Sequence, residues 1–188
     1  MLNLLMRHPV KPLVKFKNFI IPKMGLRPLT GQDGDALRAV RLEALTFDPS
    51  VFAASFKEEW ALTAPQWRER AAQTSDGCWI GVFSGDDLIG LTQATTWDYD
   101  ISGQSVVFRS SYLKPEYRRQ GAARLMSEAR QEWARAQSKY KSIWLFHRKG
   151  HWIKKCVNDF GAVYSHTALM RFADGLTSQA LWYHKPIQ

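Results

Sequence analysis

The residues best suited to chemistry lie together at Arg118-Arg119-Gln120-Gly121-Ala122-Ala123. Two guanidinium groups stand just before small residues that open a long helix pattern. The first-turn amides of a helix have no intrahelical acceptor, and the macrodipole places partial positive charge there. Gly121, Ala122 and Ala123 leave room for a bulky anion to reach that backbone, while Arg118 and Arg119 add full charges. The preceding run, Val106 to Leu113, reads as a strand, and Pro115 stops its ladder for want of an amide hydrogen. Strand, basic loop and helix start together predict a cradle for a pyrophosphate.

Other chemistries find less support. The histidines His8, His147, His151, His166 and His184 have no HExxH spacing; His147 and His151 are four apart without a third ligand nearby, so no metal site is expected. Cys78 and Cys156 form no CxxC motif, which points to a reducing compartment and a cytoplasmic location rather than a disulfide framework. No apolar run reaches the roughly 20 residues that span a bilayer. The net charge of +9 admits a polyanion or nucleic-acid partner, but equally a small ligand carrying several phosphates.

These residues need a scaffold, and 188 residues with 45% hydrophobic content suffice for one domain with a substantial core. Residues 1–23 are basic, free of acids and interrupted by Pro9, Pro12 and Pro22. They read as a loosely docked arm, residues upstream of a start at Met24, or a targeting presequence. The domain is expected over residues 24–188. Strands are predicted at Gly25–Leu29, Cys78–Phe83, Leu88–Trp97, Gln104–Leu113, Lys141–His147, Ala162–Phe172 and Gln179–His184. Helices are predicted from Ala36 to Leu45, from Thr63 through Trp67, from Ala122 to Gln137 and from Trp152 to Phe160, with Gly161 as a C-terminal cap. The fold class is α/β, with a mixed sheet of about seven strands and about four helices.

Arg118-x-x-Gly121-x-Ala123 after a strand resembles the R/Q-x-x-G-x-G/A signature of the Gcn5-related N-acetyltransferase (GNAT) superfamily. The order of elements from Met24 to Pro186 is similar too, as are Leu26-Arg27-Pro28-Leu29 and Asp48-Pro49 with Phe52-Ala53-Ala54-Ser55. The resemblance implies a mostly antiparallel GNAT-like sheet and acetyl-CoA, or another acyl-CoA, as cofactor. It implies that the pyrophosphate lies on Arg118, Arg119, Gln120, Gly121, Ala122 and Ala123, and the pantetheine arm against Tyr112 and Leu113. An amine acceptor then attacks the thioester directly. Many relatives dimerise through their C-terminal strands, so a homodimer is among the expectations.

The resemblance fails at the general acid. The tyrosine that many members place four residues before the helix-ending glycine is Val157 here. His147, Cys156 and Tyr164 are the candidate substitutes. For the base the candidates are Glu58, Glu59, Asp98 and Asp100, or a water chain. The aromatic residues Trp60, Trp67, Trp97 and Trp152 suit either a substrate groove or a core rim. Three functions are compatible with these residues: acetyl transfer to a primary amine of a small molecule or protein, acyl-CoA-dependent modification of nucleic acid, or a non-catalytic GNAT-fold binding or structural protein.

Overall fold

The computed structural model describes residues 20–21, 24–151, 157 and 160–187. An eight-stranded sheet in the order β1-β2-β3-β4-β5-β6-β8-β7 forms its centre. Its strands are β1 (Ile20–Ile21), β2 (Met24–Pro28), β3 (Gly77–Ser84), β4 (Asp87–Thr96), β5 (Ser105–Leu113), β6 (Ser142–Arg148), β7 (Val163–Arg171) and β8 (Thr177–Pro186). All neighbours are antiparallel except β5 and β6. The seven expected strands are present; the eighth, β1, is a dipeptide whose Ile20 and Ile21 pair with Gly25 and Met24. The ladder therefore reaches back past Met24, where the domain was expected to begin.

Helices α1 (Gly34–Phe47), α2 (Phe56–Trp60) and α3 (Ala64–Ala71) precede β3, and α4 (Ala122–Ala136) joins β5 to β6. The short α2 was not expected: five residues are too few for a periodic stripe, and Ser55 caps it by accepting from the Glu58 amide. The helix expected over Trp152–Phe160 lies outside the described residues except for Val157, which is helical and buried, and Phe160.

Alternation along β3 explains the two layers. Trp79 and Phe83 join Leu37, Val40, Leu45 and Trp67 under α1 and α3. Cys78 and Ile80 face the other way, against Ala129 and Trp133 of α4. A strand buried on both sides must be apolar at nearly every position, as Cys78–Phe83 is. In α4 the buried residues Ala122, Met126, Ala129 and Trp133 recur every three or four positions, the spacing of one helix face. The β3–β4 hairpin turns through Gly85 and Asp86, with Gly85 at φ 61, a value that side chains disfavour.

Two irregularities in β5 open the sheet beside α4. Leu91 pairs with Tyr112 and Gln93 with Arg109, so β5 carries one residue more than β4 between those rungs. Ser110 takes up the excess at φ 59. On its other edge, β5 pairs with β6 only at Ser105↔Ser142, Val106↔Ile143 and Val107↔Trp144. Beyond Val107 the two strands part.

Candidate active site

The segment expected to cradle a pyrophosphate begins where β5 ends. A 3-10 turn at Pro115–Tyr117 leads to Arg119 at φ 63 and Gly121 at φ 90, then directly into α4. Glycine suits the second position because a side chain at that φ is strained. No side chain among the described residues caps the helix start. Ala122 is buried, whereas Gly121 and Ala123 are exposed, so the first turn presents its amides to solvent. Arg118 sits over the rings of Phe47 and Tyr112, 5.1 and 5.7 Å from their centroids, and its Nε donates to the Leu113 carbonyl at 2.8 Å. The Tyr112 hydroxyl donates to Glu43 Oε1 at 2.8 Å. Burial first, and that carboxylate second, push the Tyr112 pKa well above the usual phenol range. Gln120 Nε2 donates to the Glu116 carbonyl at 3.4 Å. Arg124 is paired along the helix with Glu128 at 2.7 Å.

Where β5 leaves β6, Arg130 of α4 reaches up to the parted strand. Its Nη1 donates to Ser111 Oγ at 3.1 Å, and its guanidinium lies 4.7 Å from the Phe108 ring centroid. Burial lowers the Arg130 pKa to about 9, and Nε has no partner. The bulge sets these directions. It leaves Phe108 and Ser111 toward α4, while Tyr112 packs into the core under α1 and Arg109 lines a cavity with Arg41 of α1.

That cavity, of about 290 Å³, lies between α1, the α2–α3 segment and the bulge. Arg41, Glu58, Glu59, Arg70, Arg109 and Ser110 are among its walls. Glu59 is buried and held by Arg41 through two hydrogen bonds of 2.9 and 3.0 Å, with Arg70 at 3.5 Å from the same carboxylate. Glu58 is exposed, and its carboxylate makes no ion pair among the described residues. The Nε of Arg109 donates to Gln93 Oε1 at 3.0 Å. Burial lowers the Arg109 pKa, Arg41 and Arg70 push the same way, and Asp98 and Glu59 oppose them.

A helix start with exposed first-turn residues thus follows a strand that parts from its parallel neighbour. Residues 40–151, more than half of the chain, match the model of the acetyltransferase (GNAT) family. The chain belongs to that family. Solved structures agree in fold. A GNAT-family acetyltransferase from Streptococcus pneumoniae is 15% identical with a TM-score of 0.73, covering 87% of this chain and 99% of its own. The ribosomal-protein-S5-alanine acetyltransferase from Vibrio fischeri is 12% identical at 0.74, covering 92% and 98%. The putative acetyltransferase yncA from Salmonella typhimurium, solved with its cofactor acetyl-CoA, is 12% identical at 0.69, covering 88% and 95%. No curated protein matches the chain.

Within this GNAT fold the remaining candidates are scattered. His147 is buried on β6: Nδ1 meets the Arg148 carbonyl at 2.9 Å and Nε2 the Tyr183 hydroxyl at 3.1 Å, with the two rings stacked. A carbonyl only accepts, so Nδ1 carries the hydrogen and Nε2 accepts from Tyr183. Tyr164, half exposed on β7, bonds Thr167 Oγ1 at 2.9 Å. Asp98 is exposed in the β4–β5 turn, where Asp100 is spent on Ser102. Val157 is core, and Cys156 lies outside the described residues. Cys78 is buried, and burial alone pushes its thiol up to about 12. Trp67 is fully buried, and Trp97 stacks within an aromatic cluster 4.4 Å from Trp144 and 5.4 Å from Trp182. Trp60 is exposed beneath Arg38, and Trp152 lies outside the described residues.

The described histidines, cysteines and carboxylates form no group able to hold a metal ion. No described helix is long and apolar enough to cross a membrane. Arg41, Arg70, Arg109, Gln93 and Arg130 were not foreseen. They come from elements distant in sequence, only Arg41 among them being buried, and no local spacing announces their convergence.

Proposed function

We propose that this chain is an N-acetyltransferase that moves an acetyl group from acetyl-CoA to a primary amine by direct attack. One observation carries the reading: the open first turn of α4 lies at the end of the strand that parts from β6. Such a turn suits a diphosphate, and a strand edge without a neighbour suits an arm built of amides. Arg118, Arg119, Gln120, Gly121, Ala122 and Ala123 would hold the first. The backbone near Tyr112 and Leu113 would hold the second, although the Leu113 carbonyl already accepts from Arg118.

Acetyl-CoA supplies the thioester: the amine nitrogen gains the acetyl carbon as the carbon–sulfur bond breaks, and the thiolate leaves with a proton. The chain's contribution is chiefly to hold the amine near the bulge, which removes the entropic cost of encounter. Backbone N–H groups of the bulge at Ser110 and Ser111 would serve to polarise a carbonyl oxygen. Glu58, the cavity carboxylate that makes no ion pair among the described residues, is suited to accept the amine's proton directly or through water. Glu59 is a poorer base because both its oxygens are committed to arginines.

Calorimetric titration with acetyl-CoA, followed by thiol release across a panel of amines, tests the reading. Saturable binding with amine-dependent release is expected. Absence of binding overturns the cradle. Binding without release from any amine favours a non-catalytic member of the family.

A further inference from the structure

We infer that the acceptor is a small amine that also bears a carboxylate, and that Arg109 holds the carboxylate inside the cavity beside the bulge. This inference rests on the acetyl-transfer reading above and names the acceptor class.

The cavity is cationic by construction. Three guanidinium groups, from Arg41, Arg70 and Arg109, face two carboxylates, from Glu58 and Glu59. Glu59 is consumed by Arg41 and Arg70. Arg109 forms no ion pair among the described residues: Asp98 and Glu59 act on it only through space, and its Nε is engaged by the neutral oxygen of Gln93. That contact turns the guanidinium, leaving both terminal nitrogens as a fork for a bidentate oxyanion. A second orphan lies deeper. Arg41 is 3% exposed, yet its Nη1 has no acceptor. Buried donors in native proteins are seldom left unpaired, so this nitrogen is available to an oxygen of the same ligand.

The geometry also fits the other end of such a molecule. Ser110, at φ 59, lines the same cavity at the residue where β5 bulges, and exposed Glu58 lines it as well. A backbone held at positive φ by a non-glycine residue marks a strained point, a frequent attribute of functional sites. The one positive charge by which the three arginines exceed Glu58 and Glu59 favours the neutral, nucleophilic form of the amine. It also disfavours polycations such as spermidine. A volume of about 290 Å³ sits at the lower limit of pockets for drug-sized ligands, about 300–1,000 Å³, and suits something the size of an amino acid.

The test uses the full chain with saturating acetyl-CoA and measures thiol release. The acceptors are free amino acids paired with their α-carboxamides, together with spermidine and a short peptide with a free N-terminus. At least one free amino acid should exceed its carboxamide by 10-fold or more in kcat/KM. Arg109→Gln should raise KM for that amino acid by 10-fold or more, leave turnover of the carboxamide within about twofold, and leave acetyl-CoA affinity unchanged by calorimetry. Arg109→Lys should recover part of the loss, because it restores charge without the fork. Equal rates for acid and amide, preference for spermidine or the peptide, or equal damage to both substrates in Arg109→Gln overturns the inference. Turnover of other amines alone overturns it while leaving acetyl transfer intact. Failure to bind acetyl-CoA removes the acetyl-transfer reading itself.

Discussion

Glu59 and Arg41 meet in a two-pronged ion pair, Oε2 with Nε at 2.9 Å and Oε1 with Nη2 at 3.0 Å, that ties α2 to α1. Both side chains are almost wholly buried, Arg41 at 4% and Glu59 at 9% exposure. Removing one partner strands the other's charge, which costs about 3–5 kcal/mol in buried pairs. Glu59→Gln keeps the shape but loses the charge, so a stability loss of about 3 kcal/mol in urea unfolding is expected. The surviving folded fraction should retain kcat within threefold. A fall of 100-fold or more in kcat at unchanged stability would instead make Glu59 the catalytic base.

The helix start lends itself to a test in which stability and binding move in opposite directions. Ala123 is exposed in the first turn of α4, which contains no acidic residue. A carboxylate there suits the macrodipole and stabilises by about 0.3–1 kcal/mol. The same charge repels a diphosphate. Ala123→Glu should therefore keep or raise Tm and weaken acetyl-CoA binding by at least 10-fold. Gly121→Leu is a poorer probe, because φ 90 strains any side chain and mixes folding with binding. Unchanged affinity in Ala123→Glu would place the diphosphate elsewhere.

Acid should reveal a separate contribution from Asp33. Its carboxylate accepts from Arg27 at 2.7 and 2.8 Å and from the Thr30 amide at 2.7 Å, and these contacts, led by Arg27, lower its pKa to about 2. A carboxylate with a depressed folded pKa stabilises above its unfolded pKa of about 3.9. That contribution is lost as pH falls through about 2. Because Arg27 is half exposed, screening reduces the contribution to about 1 kcal/mol. Asp33→Asn should lower stability by that amount at pH 6, and the two proteins should converge near pH 2. A difference that persists undiminished at pH 2 would show that charge is not the cause.

How much of the molecule was visible in the chain depends on the range of the cause. The loop and helix start are local: Arg118, Gly121 and Ala123 lie within one loop and one helical turn, so their types and spacing were enough to predict where α4 begins. The strands were legible because burial on both faces makes Cys78–Phe83 continuously apolar. The bulge was not, since nothing in Phe108-Arg109-Ser110-Ser111 says which residue β4 skips. The cavity was hidden for a related reason. Arg41, Arg70 and Arg109 belong to α1, α3 and β5, and each resembles an ordinary surface arginine until the sheet brings them together. His147 was drawn toward chemistry by its place at a strand end, but only packing reveals that both its nitrogens are engaged.

That engagement yields the remaining prediction. With Nδ1 donating to the Arg148 carbonyl and Nε2 accepting from Tyr183, His147 has no free nitrogen to offer a leaving thiolate. Its role is then to lock β6 to β8, where it stacks on Tyr183. Tyr183→Phe preserves the stacked ring but removes the donor, leaving Nε2 unsatisfied in a buried place. A loss of about 1–3 kcal/mol in stability is expected. The kcat and its pH profile should stay within twofold of the parent protein. Were His147 the general acid, removing its partner would move the alkaline limb of that profile by half a unit or more while acetyl-CoA affinity stayed constant. The pH profile thus separates a proton donor from a fastening, which a measurement of stability alone does not.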